Sequence, residues 1–173
     1  MKFHNSIVQT TVASPLGDIT IAATDTGLAG LWFSGQKHLP PELATASTWP
    51  SRADHPVLKQ VSQQLAEYFS GARAVFDLPL DLSGGTAFQQ AVWQVLLAIP
   101  TGGTASYGDV SRRAGSPAAV RAVGAAIGRN PISIVVPCHR VIGGNGSLTG
   151  YAGGLDRKTA LLRLEGALQE NLL

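Results

Sequence analysis

The chain has 173 residues, enough for one domain or two small ones, and 45% of them are hydrophobic, ample for a buried core. A formal net charge of +2 is compatible with a nucleic-acid partner without arguing for one. One cysteine and four scattered histidines exclude an internal disulfide and a cysteine-rich zinc site, so neither metal nor cofactor is expected. No apolar run approaches the ~20 residues of a membrane span, and Met1-Lys2-Phe3-His4-Asn5 lacks the apolar stretch of a signal peptide. The expectation is a soluble cytoplasmic protein with no membrane partner.

In chain order, Ile7 to Ala13 and Asp18 to Thr24 predict two strands joined by Ser14-Pro15-Leu16-Gly17, a type I turn with proline second and glycine fourth. Leu28 to Phe33 predicts a third strand. Residues 34 to 54, rich in Pro, Ser, Thr and Ala without a clear period, predict a loop whose Trp49 packs on the surface of the core. Val57, Leu58, Val61, Leu65, Tyr68 and Phe69 recur at helical spacing, with Gly71 as C-cap, in a helix that covers the small sheet. Phe76 to Leu82 predicts a further short strand, and Ser83-Gly84-Gly85 a hinge between two domains, residues 1–82 and 86–173. The first domain carries no convincing catalytic cluster and reads as a buttress for the second.

Phe88, Val92, Val95, Leu96 and Ile99 form another helical stripe, with Trp93 at its core edge, ended by Pro100. Tyr107 to Arg113 predicts a short helix, Ala114-Gly115-Ser116 a tight turn, and Pro117 to Arg129 a second helix with Ser116 as N-cap. The pair reads as a helix-turn-helix, although spacing alone is equally that of an ordinary αα-hairpin. Ala118, Ala119, Ala122, Gly124, Ala125, Ala126 and Gly128 make the second helix slim, with Arg121 as its single long cation. A major-groove reader carries several polar base-readers, whereas a slim helix with one arginine suits the minor groove. Arg112, Arg113, Arg121, Arg129, Arg140, Arg157, Lys158 and Arg163 make the last third basic, as a DNA-facing surface would be.

Ile134, Val135 and Val136 predict a buried strand that Pro137 ends, placing Cys138 at a strand exit. A thiol is nucleophilic as its thiolate, and the adjacent His139 and Arg140 supply a base and a positive neighbour. Gly143-Gly144-Asn145-Gly146-Ser147 and Gly150-Tyr151-Ala152-Gly153-Gly154 are loops that let backbone approach a planar group. The last helix, Asp156 to Leu168, carries a stripe of Leu161, Leu164 and Leu168 with Glu165 on its edge. A carboxylate there needs a partner if buried.

The ordered set Asn130, Pro137-Cys138-His139-Arg140, Tyr151-Ala152-Gly153-Gly154 and Glu165, from about Phe88 to Gly166, resembles the O6-alkylguanine-DNA alkyltransferase family. The resemblance implies an α/β fold: a small ribonuclease-H-like N-terminal domain and a mostly helical, winged-helix-like C-terminal domain. It implies stoichiometric, self-inactivating transfer of an alkyl group from O6-alkylguanine in DNA to Cys138, with O4-alkylthymine left open. His139 would partner Glu165 through a water and the two would make the thiolate, Asn130 would hold the turn, and Tyr107 would serve the base. Val141, Tyr151, Ala152 and Gly153 would line the base pocket. Many relatives have serine where this chain has Ala152, which leaves the backbone N–H to read O6. Arg121, Tyr107, Ser116, Ala119, Ala122 and Gly124 would contact double-stranded DNA through its minor groove, with Arg121 filling the place of an extruded base. Some relatives hold zinc in the N-terminal part, and this chain lacks the cysteines for it. A monomer is expected, with side-by-side assembly on DNA left open. Two other classes stay open: a cysteine hydrolase or acyltransferase, which turnover on an ester would reveal, and a non-catalytic lesion-binding protein, which would carry tryptophan at position 138.

Overall fold

A computed structural model describes residues 1–44 and 49–168; part of the predicted loop, residues 45–48, and the end of the predicted second domain, residues 169–173, lie outside them. The chain divides into two compact units, Met1–Thr86 with Pro131–Ser133, and Ala87–Asn130 with Ile134–Leu173. It therefore leaves the second unit for three residues and returns, which a single hinge at residues 83–85 did not foresee.

The first unit is built on an antiparallel sheet in the order β1 (Val8–Val12), β2 (Ile19–Ala23), β3 (Leu28–Phe33). The first turn is closed by Gly17 N–H donating to Ser14 O at 3.1 Å, which sets Val12 opposite Ile19. All six residues of β3 are buried. The helix α2 (Pro56–Phe69) buries Leu58, Val61, Leu65 and Tyr68 and packs on all three strands, as its apolar stripe requires. Ser70 is its C-cap, one residue before the predicted Gly71. Phe3, Trp32 and Trp49 meet in an aromatic cluster, Phe3 edge-on to Trp32 at 5.9 Å and to Trp49 at 5.3 Å. Among its described residues, the segment predicted as loop contains a short helix, α1 (Pro41–Ala44), whose Leu43 packs on that cluster together with Leu39 just before it.

The strand predicted at Phe76 to Leu82 reduces to one parallel bridge between Leu28 and Leu80. Leu28 N–H donates to Pro79 O and Asp81 N–H to Leu28 O, but Pro79 has no N–H with which to extend the ladder. Further along β3, Leu31 bridges Ile132 in parallel.

Gly30 lies two residues before Trp32, on the same face of β3, and the indole folds back over it. A Cβ at Gly30 would stand 1.9 Å from a Trp32 ring atom. Gly30→Ala is expected to push Trp32 out of the aromatic cluster and lower stability by about 3 kcal/mol. Thermal denaturation checks this, with tryptophan fluorescence reporting the displaced ring.

The second unit comprises α3 (Ala87–Leu97), α4 (Tyr107–Arg113), α5 (Val120–Gly128), α6 (Leu155–Leu164) and a two-stranded parallel ribbon of β4 (Ala105–Ser106) with β5 (Val141–Ile142). α4 begins in a capping box, Ser106 Oγ accepting from Asp109 N–H while the Asp109 carboxylate accepts from Ser106 N–H. Trp93 is not at the core edge: it is fully buried, its indole N–H donating to Ala126 O at 2.8 Å. Ala126 lies on the buried side of α5, with Val123 and Ile127.

α5 begins at Val120, three residues later than predicted, and Ser116 does not cap it. Ser116 is held by Ser111 instead, its N–H donating to Ser111 O and its carbonyl accepting from Ser111 Oγ at 2.6 Å. The intervening turn is closed by Ala119 N–H to Ser116 O. In α6 the buried stripe is Lys158, Leu161 and Leu162; Leu164, expected inside, is 40% exposed.

Candidate active site

The segment before Cys138 is buried but is not a strand. Ile134, Val135 and Val136 belong to a compact turn in which Ile134 has φ 70°, a left-handed conformation that costs a β-branched residue about 1–3 kcal/mol. Asn130 stabilises the turn, its Nδ2 donating to Val136 O at 2.7 Å, and Cys138 N–H returns to the same carbonyl at 2.8 Å. β-branched residues are as apolar in a buried turn as in a strand, so composition did not separate the two. Cys138, 7% exposed, then opens a 3-10 turn, Cys138–Arg140, that leads straight into β5.

His139 is fully buried, and its Nε2 meets Glu165 Oε2 directly at 2.8 Å, with no water between them. A carboxylate only accepts, so Nε2 carries the hydrogen, and Nδ1 has no hydrogen-bond partner among the described residues. Glu165 is the C-cap residue of α6, its N–H donating to Leu161 O at 3.0 Å. Arg140 grips the same carboxylate, Nε to Oε1 at 2.8 Å and a terminal nitrogen to Oε2 at 3.0 Å. Burial lowers the His139 pKa; Glu165 pulls it back up, and Arg140 and Lys158 push it down again.

Burial also pushes the Cys138 thiol above its ordinary value. Burial is opposed first by the Asn130 amide, which hydrogen-bonds the thiol, then by the charge of Lys158 and by a backbone hydrogen bond. Arg140, read from the sequence as the thiol's positive neighbour, is paired with Glu165, and the positive charge that acts on the thiol is that of Lys158.

Arg140 and Lys158, counted with the DNA-facing cations, are both inside, at 7% and 0% exposed. Lys158 Nζ donates to three backbone carbonyls, Val141 at 2.5 Å and Thr149 and Gly150 at 3.1 Å each. Tyr107 also donates to Thr149 O, at 3.1 Å, and its phenol pKa is raised by burial and by the nearby Cys138. Val141 is buried, with its carbonyl already engaged by Lys158, and Gly153 O accepts from Arg157 at 3.2 Å. Tyr151 and Ala152 are half-buried between them. Gly154, at φ 93°, turns the loop into α6 in a conformation open to glycine and to few other residues. Cys138, His139, Asn130, Glu165, Val141 and Tyr107 are thus brought into one hydrogen-bonded and electrostatic neighbourhood.

The remaining sites lie on or beside α5. Ala118, Arg121, Ala122, Ala125 and Arg129 recur at helical spacing and are all exposed, giving a low face flanked by two arginines. Arg121 makes no hydrogen bond or ion pair among the described residues. Ala119 is half-buried at the N-cap, and Gly124 faces inward, beside the Tyr107 ring.

Two family models match in order: the ribonuclease-like domain of 6-O-methylguanine DNA methyltransferase over residues 7–82, and its DNA binding domain over residues 87–167. The chain belongs to the 6-O-methylguanine DNA methyltransferase family. Among relatives of this family, the methylated-DNA–protein-cysteine methyltransferase of Mycolicibacterium paratuberculosis is 49% identical over 155 residues, 90% of each chain. That of Methanosarcina acetivorans is 45% identical over 154 residues, 89% of this chain and 95% of the relative. A crystal structure of Mycobacterium tuberculosis OGT in complex with DNA superposes with a TM-score of 0.80 at 46% identity, covering 91% of both chains. The family's two-part fold, a small ribonuclease-like sheet domain and a helical DNA-binding domain, is the one expected from the sequence.

Sequence reasoning missed Lys158 in this family's site. Its signal was present: a lysine three residues before Leu161, on the side of the last helix that the leucines bury.

Proposed function

We propose that this chain repairs alkylated DNA by moving an alkyl group from the O6 atom of guanine to Cys138, acting once per molecule. The Cys138 sulfur attacks the alkyl carbon, the new S–C bond forms as the C–O bond breaks, and the electron pair stays with guanine, which is restored by a proton. His139 Nδ1 takes the thiol proton, the only ring nitrogen left for it once Nε2 is bonded to Glu165. Tyr107 lends its hydroxyl to the ring nitrogen that gains charge, exchanging its bond to Thr149 O for one to the base. The product thioether has no easy route back to thiol, so the protein is consumed.

Double-stranded DNA binds, on this reading, through its minor groove against the exposed Ala face of α5, with the base turned out of the stack and Arg121 in its place. Ser116, Ala119 and Ala122 line the approach, with Gly124 behind them against the Tyr107 ring. The protein works as a monomer in the cytoplasm. The observation that carries the reading is the sole cysteine, buried beside a histidine whose outer nitrogen is fixed by a buried carboxylate, in a chain about half identical to named methyltransferases.

Intact mass measurement tests it. Incubation with an O6-methylguanine duplex is expected to add one methyl group, about 14 Da, at Cys138, with no further turnover. Cys138→Ala is expected to bind the duplex with unchanged affinity and to gain no mass. Repeated turnover, or methylation elsewhere in the chain, contradicts the proposal.

A further inference from the structure

The carboxylate of Glu165 is 1% exposed and is held by the fully buried His139 and by the 8%-exposed side chain of Arg140. The guanidinium takes both oxygens, fork to fork, while the imidazole shares only Oε2. Arg140 is itself anchored from outside the pair, donating to Ile99 O at 2.6 Å and to Thr101 Oγ1 at 3.2 Å, both beyond the end of α3. It therefore has one orientation and, being an arginine, one charge.

We propose that Arg140 is a positioning residue for the alkyl transfer: it neutralises Glu165 and fixes that carboxylate against His139 Nε2, so that the imidazole stays neutral with Nδ1 ready to accept the Cys138 proton. The inference rests on the reading of His139 as the base.

Charge balance carries the argument. Arg140 and Glu165 together sum to zero, so a neutral imidazole leaves the trio uncharged, whereas an imidazolium would put a net positive charge in a site closed to water. Lys158 from α6 also acts on His139 and on Cys138, and Tyr107 from α4 faces Cys138. Lys158 adds positive charge and disfavours the imidazolium further. Without Arg140 the balance inverts. Glu165 is then a buried anion with His139 as its nearest partner, and the imidazole gains a proton to satisfy it. A protonated His139 cannot accept a second proton, so the acid limb of the transfer profile moves to higher pH.

The experiment uses the full chain and two readouts: heteronuclear NMR of His139 for its pKa and tautomer, and the pH profile of single-turnover methyl transfer. In the wild type, His139 is expected as the neutral tautomer protonated at Nε2 through the neutral range. Arg140→Met is expected to raise the His139 pKa by about one unit or more and to shift the acid limb of transfer upward with it. Arg140→Lys, which keeps the charge and loses the fork, is expected to return His139 toward its wild-type pKa while slowing transfer. Arg140→Met with Glu165→Gln removes both charges, folds more readily than the single change, and is expected to return His139 to neutrality.

A fall in rate or stability with neither the His139 pKa nor the profile moved would make Arg140 a plain brace and overturn the inference. A wild-type His139 that is protonated at neutral pH overturns it without any variant. Failure of the wild type to transfer methyl at all sinks the underlying reading instead, so the two failures are distinguishable.

Discussion

Lys158→Met is expected to lower the unfolding temperature by roughly 10 °C and to move the reactivity of Cys138 to higher pH. Both effects follow from a side chain with no exposure that donates to Val141, Thr149 and Gly150. Methionine matches the stem but donates nothing. Thr149 O keeps its bond from Tyr107 and the exposed Gly150 can turn to water, while the buried Val141 O is left alone at a cost of about 1–3 kcal/mol. The upper end of that cost, roughly 3 kcal/mol, at about 2–4 °C for each in a chain of this size, gives the expected shift. The chemical effect is separate. Burial already raises the Cys138 pKa, and the Lys158 charge is one of three influences that hold it down. Its loss raises the thiol pKa further, and each unit removes about nine-tenths of the thiolate at a pH below that pKa. Alkylation of Cys138 by a small thiol reagent across pH reads this directly, and a profile that does not move excludes Lys158 from the electrostatics of the thiol.

Arg121→Ala is expected to slow methyl transfer on a fully paired duplex on the order of 100-fold and to leave single-stranded substrate nearly unaffected. The residue is exposed on the Ala face of α5, with Arg129 two turns further on. A cation that only neutralised a phosphate would, when removed, weaken binding to every substrate alike and reduce the salt slope by about one. A side chain that occupies the place of an extruded base acts on a different equilibrium. It opposes restacking, worth a few kcal/mol, and 1.4 kcal/mol is about a factor of ten. Where the lesion lies in a single strand or opposite a gap there is little stacking to oppose, and the loss shrinks. Single-turnover rates on both substrates decide between the two, since equal losses make Arg121 an ordinary DNA-binding charge.

What the sequence made legible was whatever rests on local patterning. The three strands, the turn at Ser14 to Gly17 and the span of α4 follow from alternation, turn chemistry and helical spacing, all properties of residues close in the chain. The association of His139 with Glu165 was legible only through the ordered family motif, because 26 positions separate them. What escaped depends on partners. Arg140 and Lys158 read as surface charge because composition counts cations without showing the carboxylate or carbonyls that take them inside. Ser116 reads as an N-cap until Ser111 claims its backbone, and Trp93 as peripheral until Ala126 makes room for it. Ile134 is the sharpest case: no propensity puts isoleucine in a left-handed conformation, and only surrounding contacts hold it there.

The short return of Pro131–Ser133 to the first unit bears on the order in which the protein folds. Leu31 N–H donates to Pro131 O at 2.8 Å and Ser133 N–H to Leu31 O at 3.1 Å, so β3 waits for a partner about 100 residues further along the chain. During synthesis, the hairpin and α2 can assemble as soon as they emerge, because their contacts are close in sequence. The edge of β3 at Leu31 cannot be paired until residue 133 is available. That three-residue closure lies immediately before Ile134 and the turn that presents Cys138. Completion of the earliest-made unit and fixing of the nucleophile's own segment are therefore late and coupled events, and a chain stopped before them holds neither a finished sheet edge nor a reactive thiol.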